Sequence, residues 1–106
     1  MRIVLKSHQI HHYMASTLDD YRRKLINKIL LSASPEEVRR FSNTAIRSLI
    51  DHKVHGYIIV RFIDKIINDL RELNLLNKDE QQWSNIAIAM DHFTQLRKKF
   101  ESSTIL

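Results

Sequence analysis

Three histidines near the start of the chain have the spacing of metal ligands. His8, His11 and His12 lie three and four residues apart, so on a helix their imidazoles would share one face. Imidazole nitrogens in this arrangement suit zinc, nickel or copper. No carboxylate lies near them in sequence, and Tyr13 is a poor substitute as a ligand. We therefore expect polar residues on an exposed segment, with a metal site as the alternative.

The other histidines do not form a catalytic constellation. His52 and His55 lie near the end of a predicted helix, where an imidazolium suits the negative end of the helix dipole. No histidine follows a glutamate by three residues, so the Glu-x-x-His pattern of two-metal bundle enzymes is absent from the sequence. Asp51 and Asp91 directly precede His52 and His92, and adjacent residues on a helix point in different directions. These histidines are expected to cap helices or face solvent.

The composition also argues against other kinds of active site. The only glycine is Gly56, which leaves neither a nucleophile elbow nor a loop that cradles phosphate. The chain has no cysteine, which excludes disulfides, thiolate metal sites and a cysteine nucleophile, and a reducing cytoplasm is the expected location. The sequence therefore predicts a non-enzymatic protein without a cofactor.

Basic residues are the second group that could carry a function. The chain has 17 Lys and Arg against 12 Asp and Glu, a net charge of +5. The candidates for contact with nucleic acid or an acidic partner are Arg22, Arg23, Lys24, Lys28, Arg39, Arg40 and Arg47. Lys24, Arg40 and Arg47 each have an acidic residue four positions away, the spacing of ion pairs on a helix. A salt-bridged solvent face is thus the expected role, and binding by backbone electrostatics is the alternative.

The totals predict one helical domain. A chain of 106 residues has room for one core, and 43% hydrophobic with 27% charged residues is typical of globular domains. One glycine and one proline leave few positions that break a helix. The apolar runs are far shorter than the roughly 20 residues of a membrane span.

The clearest predicted boundary is the start of the second helix. Ser34 can cap free N–H groups, Pro35 fits the first helical position, and Glu37 completes a capping box. The apolar pattern of this helix fades toward Gly56, which we predict as the residue that closes the helix.

Three further helices follow from apolar residues that recur every three or four positions. The first is predicted to begin at Ser16 or Thr17 and to end at Ser32, and the fourth to follow a cap at Asn77 and to end near the basic residues 97–99. The third follows Gly56 and has the widest apolar arc. Core residues predicted for the fourth helix are Trp83, Ile86, Ala87, Met90, Phe93, Leu96 and Phe100.

Short connections between long helices favour an antiparallel four-helix bundle over residues 16–106. Residues 1–15 form a separate N-terminal arm, of which residues 2–6 are strand-like. Residues 41–46 resemble 83–88, and 24–29 resemble 61–66, so two repeated helical hairpins are one interpretation and chance similarity is the other.

The function predicted from these patterns is a helical protein–protein interaction module. The wide apolar arc of the third helix and the arm offer more apolar surface than one bundle needs, which favours self-association as a homodimer or other homo-oligomer. The alternative is a basic accessory protein that binds nucleic acid or an acidic partner through cations of the first two helices.

Overall fold

Four helices make up the described part of the chain. The computed structural model describes residues 7–76 and 79–105, with side chains for residues 17–76 and 79–101. The helices are α1 (Ser7–Leu30), α2 (Pro35–Asp51), α3 (Gly56–Leu76) and α4 (Glu80–Ile105). Neither range contains a β-strand. The predicted all-α four-helix bundle is confirmed.

The helix α4 lies at the centre of the packing. It contacts α1, α2 and α3, and its contact with α3 is the most extensive in the bundle, whereas α2 and α3 touch least. The buried apolar core comprises Leu25, Ile26, Ile29, Val38, Ala45, Ile46, Leu49, Ile59, Phe62, Ile63, Ile66, Leu70, Ile86, Ala89 and Phe93. Among the described side chains, α3 supplies more of these than any other helix, in agreement with its wide apolar arc.

The predicted start of α2 is confirmed. Ser34 is extended at φ −151° and its Oγ accepts a hydrogen bond from the Glu37 N–H at 3.2 Å. Pro35 is the first helical residue. The Glu37 carboxylate reaches back to accept from the Ala33 N–H at 2.8 Å, one residue earlier than in the standard capping box.

The predicted end of α2 is wrong in one respect. Gly56 is the first residue of α3 and does not close α2. The residue in the left-handed conformation is Lys53, at φ 62°. The Lys53 N–H donates to the Ile50 carbonyl and the Val54 N–H to the Leu49 carbonyl, both at 3.0 Å, which is the Schellman pattern.

The ends of α1 and α4 also differ from the sequence-based boundaries. The helix α1 begins at Ser7 rather than at Ser16 or Thr17, so the backbone of residues 7–15 continues the helix. Residues 1–6 of the predicted arm lie outside the described residues. The cap of α4 is Asp79, whose carboxylate accepts from the Gln82 N–H at 3.0 Å, and the helix continues to Ile105. Asn77, the predicted cap, lies outside the described residues.

The two similar segments of α2 and α4 do not present the same faces to the core. Ser42 and Ala45 are buried in α2, as expected for small residues beside a close neighbour. Their counterparts Ser84 and Ala87 are exposed in α4. In α4 the buried polar residue is instead Asn85. The sequence match between 41–46 and 83–88 is therefore not accompanied by a matching pattern of burial.

Candidate functional site

Three arginines lie together on the exposed face of α2. Arg39, Arg40 and Arg47 are all exposed and line one open depression of about 450 Å³, together with Glu36, Asn43 and Thr44. The positions recur along the outside of the helix because residues three, four and seven apart share one side. The structure thus brings the predicted α2 cations into one surface.

A cation of α1 joins this surface across Phe41. The Lys28 Nζ lies 5.6 Å from the centre of the Phe41 ring, and the Arg40 guanidinium carbon lies 5.3 Å from it. Both distances are within the range of a cation–π contact. Because Phe41 packs against the core, it holds cations from two helices near one another. We refer to Lys28, Arg39, Arg40 and Arg47 as the basic face.

The basic face borders α4 at His92. The His92 Nε2 lies 2.7 Å from the Asn43 Oδ1, which links α4 to α2. Partial burial lowers the pKa of His92, and the charges of Arg39 and Lys99 lower it further, against an opposing effect of Asp91. A neutral imidazole can donate its Nε2 hydrogen to the Asn43 oxygen, which directs the amide nitrogen of Asn43 away from His92.

The other predicted cations of α1 lie elsewhere. Arg22 is only 15% exposed and binds the carboxylates of Asp69 at 2.8 Å and Asp19 at 2.7 Å, so it joins α1 to α3. Its hydrogen bond lowers the pKa of Asp19. Arg23 pairs with Asp20 at 2.6 Å. Lys24 is exposed. The α1 cations thus divide, and only Lys28 is shown beside the cations of α2.

A second unusual surface consists of large apolar residues at one end of the bundle. Leu31, Leu75 and Leu76 are 79%, 81% and 78% exposed, and Trp83 is 55% exposed. Leu31 follows α1, Leu75 and Leu76 end α3, and Trp83 lies in the first turn of α4. The Asn85 side chain donates to the carbonyls of Leu30 and Ser32, which places the start of α4 beside the end of α1, and Leu76 shares a groove with Asn27 of α1. We refer to Leu31, Leu75, Leu76 and Trp83 as the apolar end.

A groove between α1 and α3 leads to the apolar end. It has a volume of about 340 Å³, and its lining residues are Arg23, Ile26 and Asn27 of α1 with Asp69, Glu72, Leu73 and Leu76 of α3. Leu31 lies one turn beyond Asn27, since its N–H donates to the Asn27 carbonyl at 3.1 Å. One wall therefore carries a basic residue, the other carries two acids, and exposed leucines lie at the end.

The exposure of Trp83 corrects a sequence-based prediction. Trp83 was expected in the core because it continues the apolar spacing of Ile86, Met90 and Phe93. In the structure Ile86 and Phe93 are fully buried, whereas Trp83 is more than half exposed. The signal for an exposed residue was weak, because an apolar stripe extends past the point at which neighbouring helices stop covering it.

His52 and His55 contact backbone groups at helix ends. The His52 Nδ1 lies 2.7 Å from the Ser48 carbonyl at the end of α2, and the His55 Nδ1 accepts from the Tyr57 N–H at 3.1 Å at the start of α3. The His52 contact fits its expected role at the end of α2, whereas His55 contacts the start of α3, so its predicted role at the end of α2 is wrong. The side chains of His8, His11 and His12 lie outside the described ones, so the predicted metal site stays a prediction. Among the described residues, no group of three or more potential ligands could hold a metal ion.

Comparisons with known proteins do not assign this chain to a family. No protein-family model, curated protein or solved structure matches it significantly. Within the two described ranges, no helix has the length and apolar character needed to cross a membrane.

Proposed function

We propose that this chain is a non-enzymatic, helical protein–protein interaction module that self-associates through its apolar end. The observation that carries the proposal is the exposure of three leucines at the ends of α1 and α3. Leu31, Leu75 and Leu76 each expose about four fifths of their surface. Isolated exposed apolar residues are common, but several at one place mark interaction sites. Removing them from water on association is favourable in proportion to the apolar area covered.

The groove beside the apolar end favours a second copy as the partner. Its α1 wall contains Arg23, which also pairs with Asp20, and its α3 wall contains Glu72 and Asp69, of which Asp69 also binds Arg22. In a two-fold dimer each surface patch contacts the same patch of the other copy. The basic wall of one chain can therefore face the acidic wall of the other, so the contact is complementary in charge as well as apolar.

The first test is the mass in solution. Light scattering is expected to give twice the 12.6 kDa of one chain, with the dimer fraction rising with concentration. The double variant Leu31→Ser with Leu76→Ser is expected to be monomeric, because it removes apolar surface from the proposed contact. Ile50→Ser is a control for the loss of an exposed apolar side chain, since Ile50 is 50% exposed but lies at the opposite end of the bundle.

A charge exchange tests the two-fold arrangement directly. Glu72→Lys alone is expected to weaken the dimer, because it sets a cation against Arg23 of the other copy. Adding Arg23→Glu to it should restore the dimer, since the charges of the two side chains proposed to face each other are then exchanged. A monomeric wild-type chain at all concentrations, or a dimer that survives the double serine variant, would overturn the proposal.

Composition and several side-chain contacts support the remaining parts of the proposed function and a second candidate. The lack of cysteine supports a reducing location such as the cytoplasm. The non-enzymatic assignment is supported by the roles of His52 and His55 at helix ends. A second candidate, binding of an anionic partner, is favoured by the convergence of Lys28 and Arg40 on Phe41.

A further inference from the structure

We propose that the basic face, with Asn43 and His92 at its edge, binds the phosphodiester backbone of nucleic acid. This site consists of residues of α1, α2 and α4 other than those of the apolar end, so it goes beyond the proposed self-association and specifies the anionic partner of the second candidate function. The proposal involves only some of the cations predicted from the sequence. Arg22 joins α1 to α3 through Asp69, and Arg23 lies at the groove beside the apolar end. Lys28, Arg39, Arg40 and Arg47 lie together on another side of the bundle, where Arg40 is also 3.9 Å from the Glu37 carboxylate.

The dimensions of the basic face fit a polymer rather than a small anion. Arg39 and Arg47 are eight residues apart, which is about 12 Å along a helix. The depression between them is open and is lined by one helix, so it does not enclose a ligand. A row of cations over this distance can contact successive phosphates of one strand, whereas a single phosphate can be reached by one end of the row only.

The side-chain chemistry favours phosphate. Three of the four cations are arginines, whose planar guanidinium binds phosphate oxygens in a bidentate manner. Asn43 and Thr44 lie between them in the depression and supply neutral groups of the kind that contact phosphates in protein–nucleic acid complexes. Since Lys28 and Arg40 already lie near Phe41, that ring is not a free platform for a base. The expected binding therefore depends little on sequence.

An independent reporter of binding is built into the site. Partial burial lowers the pKa of His92 most, and the positive charges of Arg39 and Lys99 lower it further. An anionic strand that pairs with Arg39 offsets that charge, so it should raise the pKa of His92. This change can be followed by NMR through the imidazole carbon-bound protons, and it requires no knowledge of biological activity.

The experiment compares two double variants with the same loss of charge. Binding of a fluorescently labelled mixed-sequence DNA duplex, and of one of its single strands, is measured by anisotropy at several salt concentrations from about 50 mM. Arg39→Gln with Arg47→Gln is expected to weaken binding at least tenfold. It should also lower the salt slope for the duplex by about 0.9 for each lost phosphate contact. Arg61→Gln with Lys65→Gln removes two exposed cations of α3 and should change affinity less than twofold.

Each outcome has a defined meaning. If both double variants weaken binding equally, binding depends on net charge alone and the proposed site is wrong. If polyglutamate competes as well as nucleic acid, the ligand is an acidic protein and the proposal of nucleic acid is wrong. No binding at the lowest salt, or a pKa of His92 that does not rise with the duplex, would also refute the proposal. The Leu31→Ser, Leu76→Ser variant should still bind, so failure of self-association and failure of this site can be told apart.

Discussion

Replacing Asn85 with alanine should destabilise the bundle more than any substitution of an exposed polar residue. The Asn85 side chain is fully buried in α4. Its Nδ2 donates to the Ser32 carbonyl at 2.8 Å and to the Leu30 carbonyl at 3.3 Å, and its Oδ1 accepts from Gln81 at 3.1 Å. The last carbonyls of a helix lack partners within the helix, so Asn85 supplies from α4 what the end of α1 requires.

The expected loss follows from the groups left without a donor. A buried carbonyl deprived of its partner costs about 1–3 kcal/mol. The hydrogen bond to Ser32 is buried and the one to Leu30 is partly buried, so loss of the first costs the full amount and loss of the second costs part of it. With a small cavity added, Asn85→Ala should lower the free energy of unfolding by about 3 kcal/mol. For a urea m-value of about 2 kcal/mol/M, the midpoint should fall by about 1.5 M.

Urea denaturation followed by circular dichroism measures this loss. Asn85→Asp keeps the size of the side chain but removes its donor and introduces a buried charge, so it should cost at least as much as alanine. Asn68→Ala is the control, because Asn68 is an exposed asparagine in α3 and alanine favours the helix slightly. Variants of Asn85 whose stability stays within about 1 kcal/mol of wild type would show that the two carbonyls do not depend on this amide.

Two further predictions concern backbone strain and pH. Lys53→Gly should stabilise the chain by about 0.5–1 kcal/mol, because a left-handed residue with a Cβ costs roughly 1–2 kcal/mol and the higher entropy of glycine in the unfolded chain offsets part of that gain. Lys53→Ala keeps the Cβ and should not stabilise the chain. Equal effects of the two substitutions in urea denaturation would contradict the strain argument. His92 has a lowered pKa in the fold, so below its unfolded pKa of about 6.5 the unfolded chain binds the proton first. The free energy of unfolding should therefore fall as the pH drops from about 7 toward the lowered pKa of His92, and His92→Gln should lack that part of the fall; identical pH profiles of wild type and variant would refute this assignment.

The parts of the fold that sequence patterns predicted are those fixed by neighbouring residues. The start of α2 is determined by Ser34 and Glu37, which act on N–H groups within four positions of themselves. Apolar spacing identified the buried side of α3 for the same reason, since the helix repeat alone selects it. The number of helices and the all-α fold class follow directly from such local signals.

The features that were missed depend on distant residues. Asn85 binds carbonyls 53 and 55 residues earlier, and no local pattern relates them. Trp83 shares the spacing of a core residue, and only the arrangement of the other helices leaves it exposed. The grouping of Lys28 with Arg40 likewise depends on how α1 packs on α2 around Phe41. Surface chemistry is thus less predictable than burial, because it is set by the packing of separate elements.

The position of α4 has a consequence for biosynthesis. A ribosome makes α4 after the other three helices, yet α4 contacts all of them and supplies Ile86, Ala89 and Phe93 to their shared core. While α4 is still inside the exit tunnel, α1, α2 and α3 expose side chains such as Ile63 and Leu70 that the finished bundle covers. Folding is therefore expected to be completed only after α4 has left the exit tunnel, and the nascent chain is expected to be a substrate for chaperones that bind apolar segments.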